Sequence, residues 1–317
     1  MIEWKCFELH THTLHSDGNF SVSELCTAAK DFLYDAIVLT DHNTMSGLDE
    51  LNGKAVPVIP GIEWTTFYGH MLVMGAEKYI DWRFVKPDTI DEYTQAVKDA
   101  RGIIGIAHPF HMGSPMCTGC YWDFKVQNWN NIDYIEVWSE PFPQKRYNNV
   151  LAFSWWTELL NQGHRLAAGA GWDWHRQPDR PLLPPATWLG LENGIISTAS
   201  VKEALAAGRT IVSIGPFPEM SLRRGEDFFY PGDVLDRGEA KFSISVDENR
   251  RKEIWGSFGI HTERICLVHN GVPIVSSSDI AEEALNLSTG WLRLEAYGEL
   301  EGVRDTLLFF SSPWYIE

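Results

Sequence analysis

Glu8-Leu9-His10-Thr11-His12-Thr13-Leu14-His15-Ser16-Asp17-Gly18 sets two imidazoles one residue apart at the end of a strand-forming segment. Side chains alternate across a strand, so His10 and His12 point the same way, as a metal-binding pair requires. Asp17 follows in a turn closed by Gly18, which can bring a carboxylate back toward the same spot. His15 falls off the His10–His12 face and is expected in solvent. An isolated His-x-His is commonly a packing feature. What sets this one apart is recurrence along the chain.

The chain has 317 residues, which favours two domains, and its 44% hydrophobic content suits a packed globular protein. No apolar run approaches the roughly 20 residues of a membrane span, and the first residues lack the pattern of a signal peptide. A cytoplasmic protein without membrane contact is expected. The five cysteines are scattered and odd in number, unlike a disulfide framework. Cys117 and Cys120 form one C-x-x-C, but a zinc knuckle needs further ligands and only His111 is near, so reduced thiols are expected. The net charge of −17 disfavours long nucleic acid as a partner but not a small anionic substrate, because a metal cluster supplies its own positive charge.

Along the chain, short apolar runs alternate with helical patterns. Ser21-Val22-Ser23-Glu24 reads as a capping box opening a helix. Ala36 to Leu39 is apolar throughout, as in a strand buried on both faces, and leads through Thr40 to Asp41 and His42. Val56 to Ile59 leads to Glu63, and Gly69 to Gly75 forms a strand with His70 at its start. Thr89 to Glu92 reads as a second capping box, for a helix reaching about Arg101. Ile103 to Ala107 delivers His108. Residues 111 to 131 read as a long loop. Ile132 to Trp138 is a strand with Tyr134, Glu136 and Trp138 on one face. A helix follows over about 146–161, and residues 166–171 form a small-residue strand. In the segment after it, Asp173 and His175 share one face while Trp172 and Trp174 pack on the other. Ser200 to Glu203 reads as a third capping box. Beyond residue 215 the pattern becomes polar–apolar alternation, with Asn270-Gly271 as a hairpin turn. An α/β fold is expected, with enough strand–helix repeats to suggest a barrel, followed by a small antiparallel β domain.

His10, His12, Asp17, His42, Glu63, His70, His108, Glu136, Asp173 and His175 lie mostly at or past the C-terminal ends of expected strands. In a parallel barrel those ends converge on one face, where active sites form. The set exceeds the needs of one ion. Mixed imidazole and carboxylate ligands suit Zn, Mn or Fe, and neighbouring ions point to hydrolysis.

These residues resemble a known family. His10-Thr-His12, Asp17, Thr40-Asp41-His42, Glu63, His108-Pro109 and Asp173-Trp-His175 resemble the motifs of the PHP (polymerase and histidinol phosphatase) domain. The runs Gly61-Ile-Glu63, Gly69-His70, Ile135 to Trp138 and Gly171 to His175 resemble its carbaryl-hydrolase-like (CehA/McbA-type) branch. So do Val268-His-Asn270-Gly271 and Trp291-Leu-Arg293. The resemblance implies a distorted (β/α)7 barrel over residues 1–214, with residues 215–317 as a β-sandwich-like domain. It also implies two or three divalent ions. One would be held by His10, His12, Glu63 and Asp173; a second by Glu63 and His108, with or without His70; a third by Asp17, His42 and His175.

Glu136 reads equally as a ligand or as a residue supporting one. Asp41 is expected to orient a ligand or cap a turn, and Trp138 to shape the pocket. His111 either protonates a leaving group or lines the loop. Arg176 either meets an anionic substrate or faces solvent, and Lys145 and Arg146 are expected on a solvated face. The function expected is a metal-dependent hydrolase using a metal-bridged hydroxide, with Glu63, Asp173 and His108 at the reacting centre. A small phosphoester is the first expectation for its substrate. Esters, amides or carbamates are the alternative, and a non-catalytic metal-stabilised module is a further one. Oligomeric state is not legible.

Overall fold

In the computed structural model, which describes residues 1–112, 122–278 and 282–317, helices and sheets share one mixed α/β chain. The first part holds β1 (Ile2–Glu8), α1 (Val22–Asp31), β2 (Ala36–Leu39), β3 (Val58–Thr66), β4 (Gly69–Met74), α2 (Ile90–Asp99), β5 (Ile103–Ala107), β6 (Tyr134–Ser139), α3 (Tyr147–Asn161), β7 (Ala167–Gly171), β8 (Ala186–Glu192), α4 (Thr198–Ala207) and β9 (Thr210–Ser213). Cys117 and Cys120 lie outside the described residues; Cys6, Cys26 and Cys266 are buried free thiols. Among the described residues, no helix is long and apolar enough to cross a membrane.

Local sequence accounts for the elements. Ser21 caps α1 in the expected box with Glu24, and Val22, Leu25 and Ala29 turn to the core. The other two expected boxes are corrected. Thr89 makes no side-chain cap, because a short 3-10 turn over Pro87–Thr89 precedes α2 and the Thr89 hydroxyl accepts instead from the Lys86 N–H. The box on α4 begins at Ser197 and pairs with Ser200, three residues before the one expected. Gly208 stops α4 in a left-handed conformation (φ 77°), where a Cβ would be strained.

Strand–helix alternation is also less regular than expected. β1, β2 and β3 pair in parallel, and so do β5, β6 and β7. Between these triplets β4 runs antiparallel to both β3 and β5, because only Phe67 and Tyr68 separate β3 from β4. The reversal matters for the site. It puts His70, the second residue of β4, opposite Thr65 and Ala107, at the same end as the C-termini of the parallel strands.

The sheet bends round until the end of β7 meets the end of β1. A bridge joins Thr11 and Trp174, with His12 N donating to Trp174 O at 2.9 Å and Trp174 N to His10 O at 3.0 Å. Along this seam the free edge of β7 is satisfied by side chains. The N–H groups of Ala168, Ala170 and Trp172 donate in turn to Ser312 Oγ, Thr187 Oγ1 and Glu8 Oε1. Alternate residues of an edge strand present their N–H groups to the same side, so one ladder of oxygens serves all three.

The second part contributes β10 (Phe217–Arg224), β11 (Asp227–Phe229), β12 (Val234–Leu235), β13 (Gly238–Asp247), α5 (Lys252–Trp255), β14 (His261–His269), β15 (Val272–Ser277), β16 (Glu283–Leu287), β17 (Gly290–Leu300), β18 (Val303–Ser311) and β19 (Trp314–Ile316). Asn270 and Gly271, both at positive φ, turn β14 into β15. β10, β11, β13 and β16 form a separate four-stranded sheet. The others extend the main sheet: β18 pairs with β9, which pairs with β8 beside β1. The large sheet therefore crosses residue 214 without a break.

Candidate metal centre

The donors expected from the sequence meet at one end of the sheet. His10 and His12 lie just past β1, His42 past β2, His108 past β5, and Asp173 and His175 past β7; Glu63 lies within β3. Gly18 lets the Asp17 turn fold onto this end. A Cβ there would sit 2.4 Å from the His12 carbonyl carbon, so the close backbone approach needs glycine. Asp41 organises the same turn, accepting from Thr13 N and Oγ1 at 2.7 Å each and from Ser16 Oγ at 2.6 Å.

Glu63 is the hub and is fully buried. Its Oε1 lies 2.6 Å from His70 Nδ1 and 3.3 Å from His108 Nε2. Its Oε2 lies 2.6 Å from His42 Nδ1, 3.5 Å from His10 Nε2 and 3.7 Å from His12 Nε2. Asp173 Oδ1 lies 3.0 Å from His12 Nε2 and 3.4 Å from His10 Nε2. Asp17 Oδ1 stands 3.1 Å from His175 Nε2 and 3.4 Å from His42 Nε2. His108 (φ 24°) and Asp173 (φ 56°) hold left-handed backbone, strain of the kind that collects at functional sites.

Among the described residues, three groupings bring ligand atoms within 4.8 Å of one another: His12, Asp17, His42 and His175; His10, His12 and Asp173; and His10, Glu63 and His108. His12 thus serves two groupings where one was expected. His70 is in none of the three and bonds instead to Glu63. The donor set fits cations. His10 Nε2, both His12 ring nitrogens, His70 Nε2 and Asp173 Oδ1 are buried without a hydrogen bond, a costly arrangement unless something positive sits among them.

Electrostatics agree. Burial drives His12 down to about 4, leaving a neutral imidazole, the form that binds metal. Burial also lowers His108, but Glu63, Asp173 and Glu136 outweigh it and raise the ring to about 9. His10 is likewise held well above its usual value by Asp173, Glu136 and Glu63 against the burial penalty. Burial raises the carboxyls of Glu63 and Asp173, yet the surrounding imidazoles win and hold both well below the ordinary range. Without metal, the acids keep protons on some of the rings as counter-charge.

The remaining candidates divide. Glu136 turns inward and its Oε2 lies 2.9 Å from His10 Nδ1. Trp138 does not follow it, which corrects the expectation of a shared face. The β6–β7 register slips between Glu136 and Trp138, so the inserted Val137 reverses the alternation and the Trp138 ring packs edge-on against Phe310. His111 stands beside His108, with ring centroids 5.5 Å apart, and its Nε2 lies 3.9 Å from Glu140 Oε2. Glu140 also pairs with Arg146, which is half-buried, while Lys145 is exposed as expected and pairs with Glu301. Arg176 is exposed. His15 bonds to Ser46 and Glu50 outside the cluster. Trp172 and Trp174 stack 4.2 Å apart, as packing residues.

Three supporting residues escaped the sequence reading. Thr65 donates to Glu63 Oε2 at 3.3 Å and also lies against His42 Nδ1. Glu140 follows β6 directly, and an acid just past a strand end was the available signal. For Glu8 the available signal was its place in the alternation Glu8, His10, His12.

Over 102 residues, 32% of the chain, the sequence is 28% identical to the uncharacterized protein MJ1295 of Methanocaldococcus jannaschii, covering 44% of that protein's length. The chain thus spans less than half of that relative. The fold is similar to that of a Bacteroides vulgatus protein described as a two-domain protein containing a predicted PHP-like metal-dependent phosphoesterase. The TM-score is 0.53 at 15% identity, over 98% of this chain and 95% of that one. Residues 8–129 match the family model described as PHP domain. The matched segment carries His10, His12, Asp17, His42, Glu63, His70 and His108.

Proposed function

We propose that the protein is a metal-dependent hydrolase acting on a small phosphoester. The observation that carries this reading is the convergence on Glu63 and Asp173 of imidazoles from separate strands, with buried ring nitrogens that no hydrogen bond satisfies. We take the curved sheet as the distorted barrel of the PHP fold and the cluster as a site for two or three ions (Mn, Zn or Fe). His10, His12, Asp17, His42, Glu63, His108, Asp173 and His175 would hold them, with His70 bracing Glu63. Such ions supply Lewis acidity and an activated water.

The chain's own residues do the rest. Glu136 accepts from His10 Nδ1–H and leaves Nε2 facing the cluster. His42 Nδ1 hydrogen-bonds to Thr65 Oγ1 and lies 2.6 Å from Glu63 Oε2, which turns Nε2 toward Asp17. His111, at the edge of the cluster beside Glu140, is placed to give a proton to the departing oxygen. Phosphoester chemistry is supported by the PHP segment and by the name of the Bacteroides vulgatus fold neighbour.

One observation favours a second reading, an ester, amide or carbamate substrate, which is also what the carbaryl-hydrolase-like resemblance implies. Of the three basic residues marked out in the sequence, Arg146 and Lys145 are paired with Glu140 and Glu301, and Arg176 is exposed. The test is turnover of p-nitrophenyl phosphate, bis-p-nitrophenyl phosphate and p-nitrophenyl acetate after stripping and reloading with each metal. Phosphate-ester turnover supports the first reading and acetate turnover alone the second. No turnover with metal bound would reduce the protein to a metal-stabilised module.

A further inference from the structure

Glu8 opens the quoted stretch, and the proposed chemistry does not use it. Its side chain is fully buried and belongs to none of the three ligand groupings. Oε1 accepts two backbone N–H groups at once, from His10 at 3.0 Å and from Trp172 at 2.7 Å. One amide belongs to a metal-ligand candidate past β1. The other immediately precedes Asp173, past β7. The two segments are distant in sequence and meet only because the sheet bends back on itself.

The position of this contact is specific. Of the three side-chain oxygens that satisfy the free edge of β7, Ser312 Oγ and Thr187 Oγ1 serve Ala168 and Ala170, farther from the ligand residues. Glu8 Oε1 serves the last, Trp172, next to Asp173. Crowding at Gly171 shows how closely the segments approach. A Cβ there would lie 2.5 Å from His10 Cβ and 3.4 Å from Glu8 Oε1. No third strand fits between them, so a side chain has to supply the hydrogen bond that a strand would.

We propose that Glu8 is a positioning residue: one carboxyl oxygen ties the His10 backbone to the Trp172 backbone and thereby sets the 3.4 Å separation of His10 Nε2 from Asp173 Oδ1. The role needs an acceptor at Oε1 and not a charge. The inference rests on the metal reading of the site for its consequence, though not for the tie itself.

The test uses the full chain, stripped by chelator and titrated calorimetrically with Mn and, separately, Zn. Glu8→Gln keeps the acceptor and should bind metal within about threefold of wild type. Glu8→Leu should bind about tenfold to a hundredfold more weakly, the range typical when a group that orients ligands is lost. Thr187→Val removes the neighbouring oxygen of the same seam and should lower Tm while leaving metal affinity unchanged. If Glu8→Leu does not fold, Glu8→Asp replaces it. Its carboxyl is one methylene short of both amides and should show the same weakening.

Wild-type affinity in a folded Glu8→Leu or Glu8→Asp would overturn the proposal. So would a loss in Glu8→Gln as large as in Glu8→Leu, which would mean that charge is what matters. An equal loss in Thr187→Val would assign the effect to the seam as a whole and also overturn it. A metal-free readout separates this inference from the reading beneath it. Amide hydrogen exchange at His10 and Trp172 should quicken in Glu8→Leu and not in Glu8→Gln. Failure of the wild type to take up metal would sink the metal reading while the exchange data still judged the tie.

Discussion

Glu136 Oε2 stands 2.9 Å from His10 Nδ1, and both side chains are buried. An imidazole has two nitrogens, and fixing a proton on one commits the other to the ligand role. The carboxylate is supplied by β6 and the imidazole by the end of β1, so the pair also spans the closure of the sheet. Glu136→Ala frees the ring to rotate and removes that commitment. Metal affinity should fall about tenfold to a hundredfold with the fold intact. Titration of the stripped protein with Mn or Zn, alongside circular dichroism, checks this. Unchanged affinity would make Glu136 a spectator.

His12 belongs to two ligand groupings, so one substitution strips a donor from both. His12→Ala should lower the number of bound ions and reduce kcat/KM on the order of a thousandfold, the several kcal/mol that a Lewis-acid site supplies. Elemental analysis of the purified variant beside the wild type, with turnover of the responsive substrate, measures both. Full activity with a missing ion would remove His12 from the reacting centre.

Gly18→Ala tests the turn that carries Asp17. The added Cβ would meet backbone atoms of His12 and Thr13 at 2.4 to 2.7 Å, and backbone cannot swing aside as a flexible side chain would. Overpacking of this kind costs about 1–3 kcal/mol. The turn and His12 should shift together, so Tm falls and metal affinity falls with it. Thermal unfolding with and without metal distinguishes this from a purely local loosening, which would lower Tm and leave affinity alone.

The side chains that cluster stood out in the sequence because imidazoles and carboxylates recur just past the ends of apolar strands, at His10, His42, His108 and Asp173. What escaped was whatever depends on register or direction. A two-residue link makes β4 antiparallel, and residue types in Gly69 to Met74 do not announce that reversal. One inserted residue at Val137 sends Trp138 to Phe310 instead of the cluster, and periodicity alone places it wrongly. The cap expected at Thr89 lost to a local 3-10 turn. The expectation of a separate C-terminal sheet did not foresee β18 pairing with β9, because edge pairing between distant strands leaves no mark on either sequence.

The ionisable groups predict opposite pH responses for the metal-free and metal-loaded protein. In the metal-free protein His108 is raised to about 9 by Glu63, Asp173 and Glu136 against the penalty of burial, above the ~6.5 of an unfolded histidine. A raised value means that the folded state holds the proton more tightly. This contribution to stability is therefore complete below about pH 6.5 and is lost as pH rises through 9. His10, raised by Asp173, Glu136 and Glu63 against burial, acts in the same sense. Metal requires these rings neutral, so each ion bound displaces protons and binding strengthens as pH rises. Bound metal at a hundredfold excess over Kd adds about 2.7 kcal/mol. Between pH 6.5 and 9, Tm of the chelator-treated protein should therefore fall while the increment that added Mn or Zn gives should grow. Parallel melting series with EDTA and with metal read both slopes. A metal increment independent of pH would mean that ions do not compete with protons on His10 and His108.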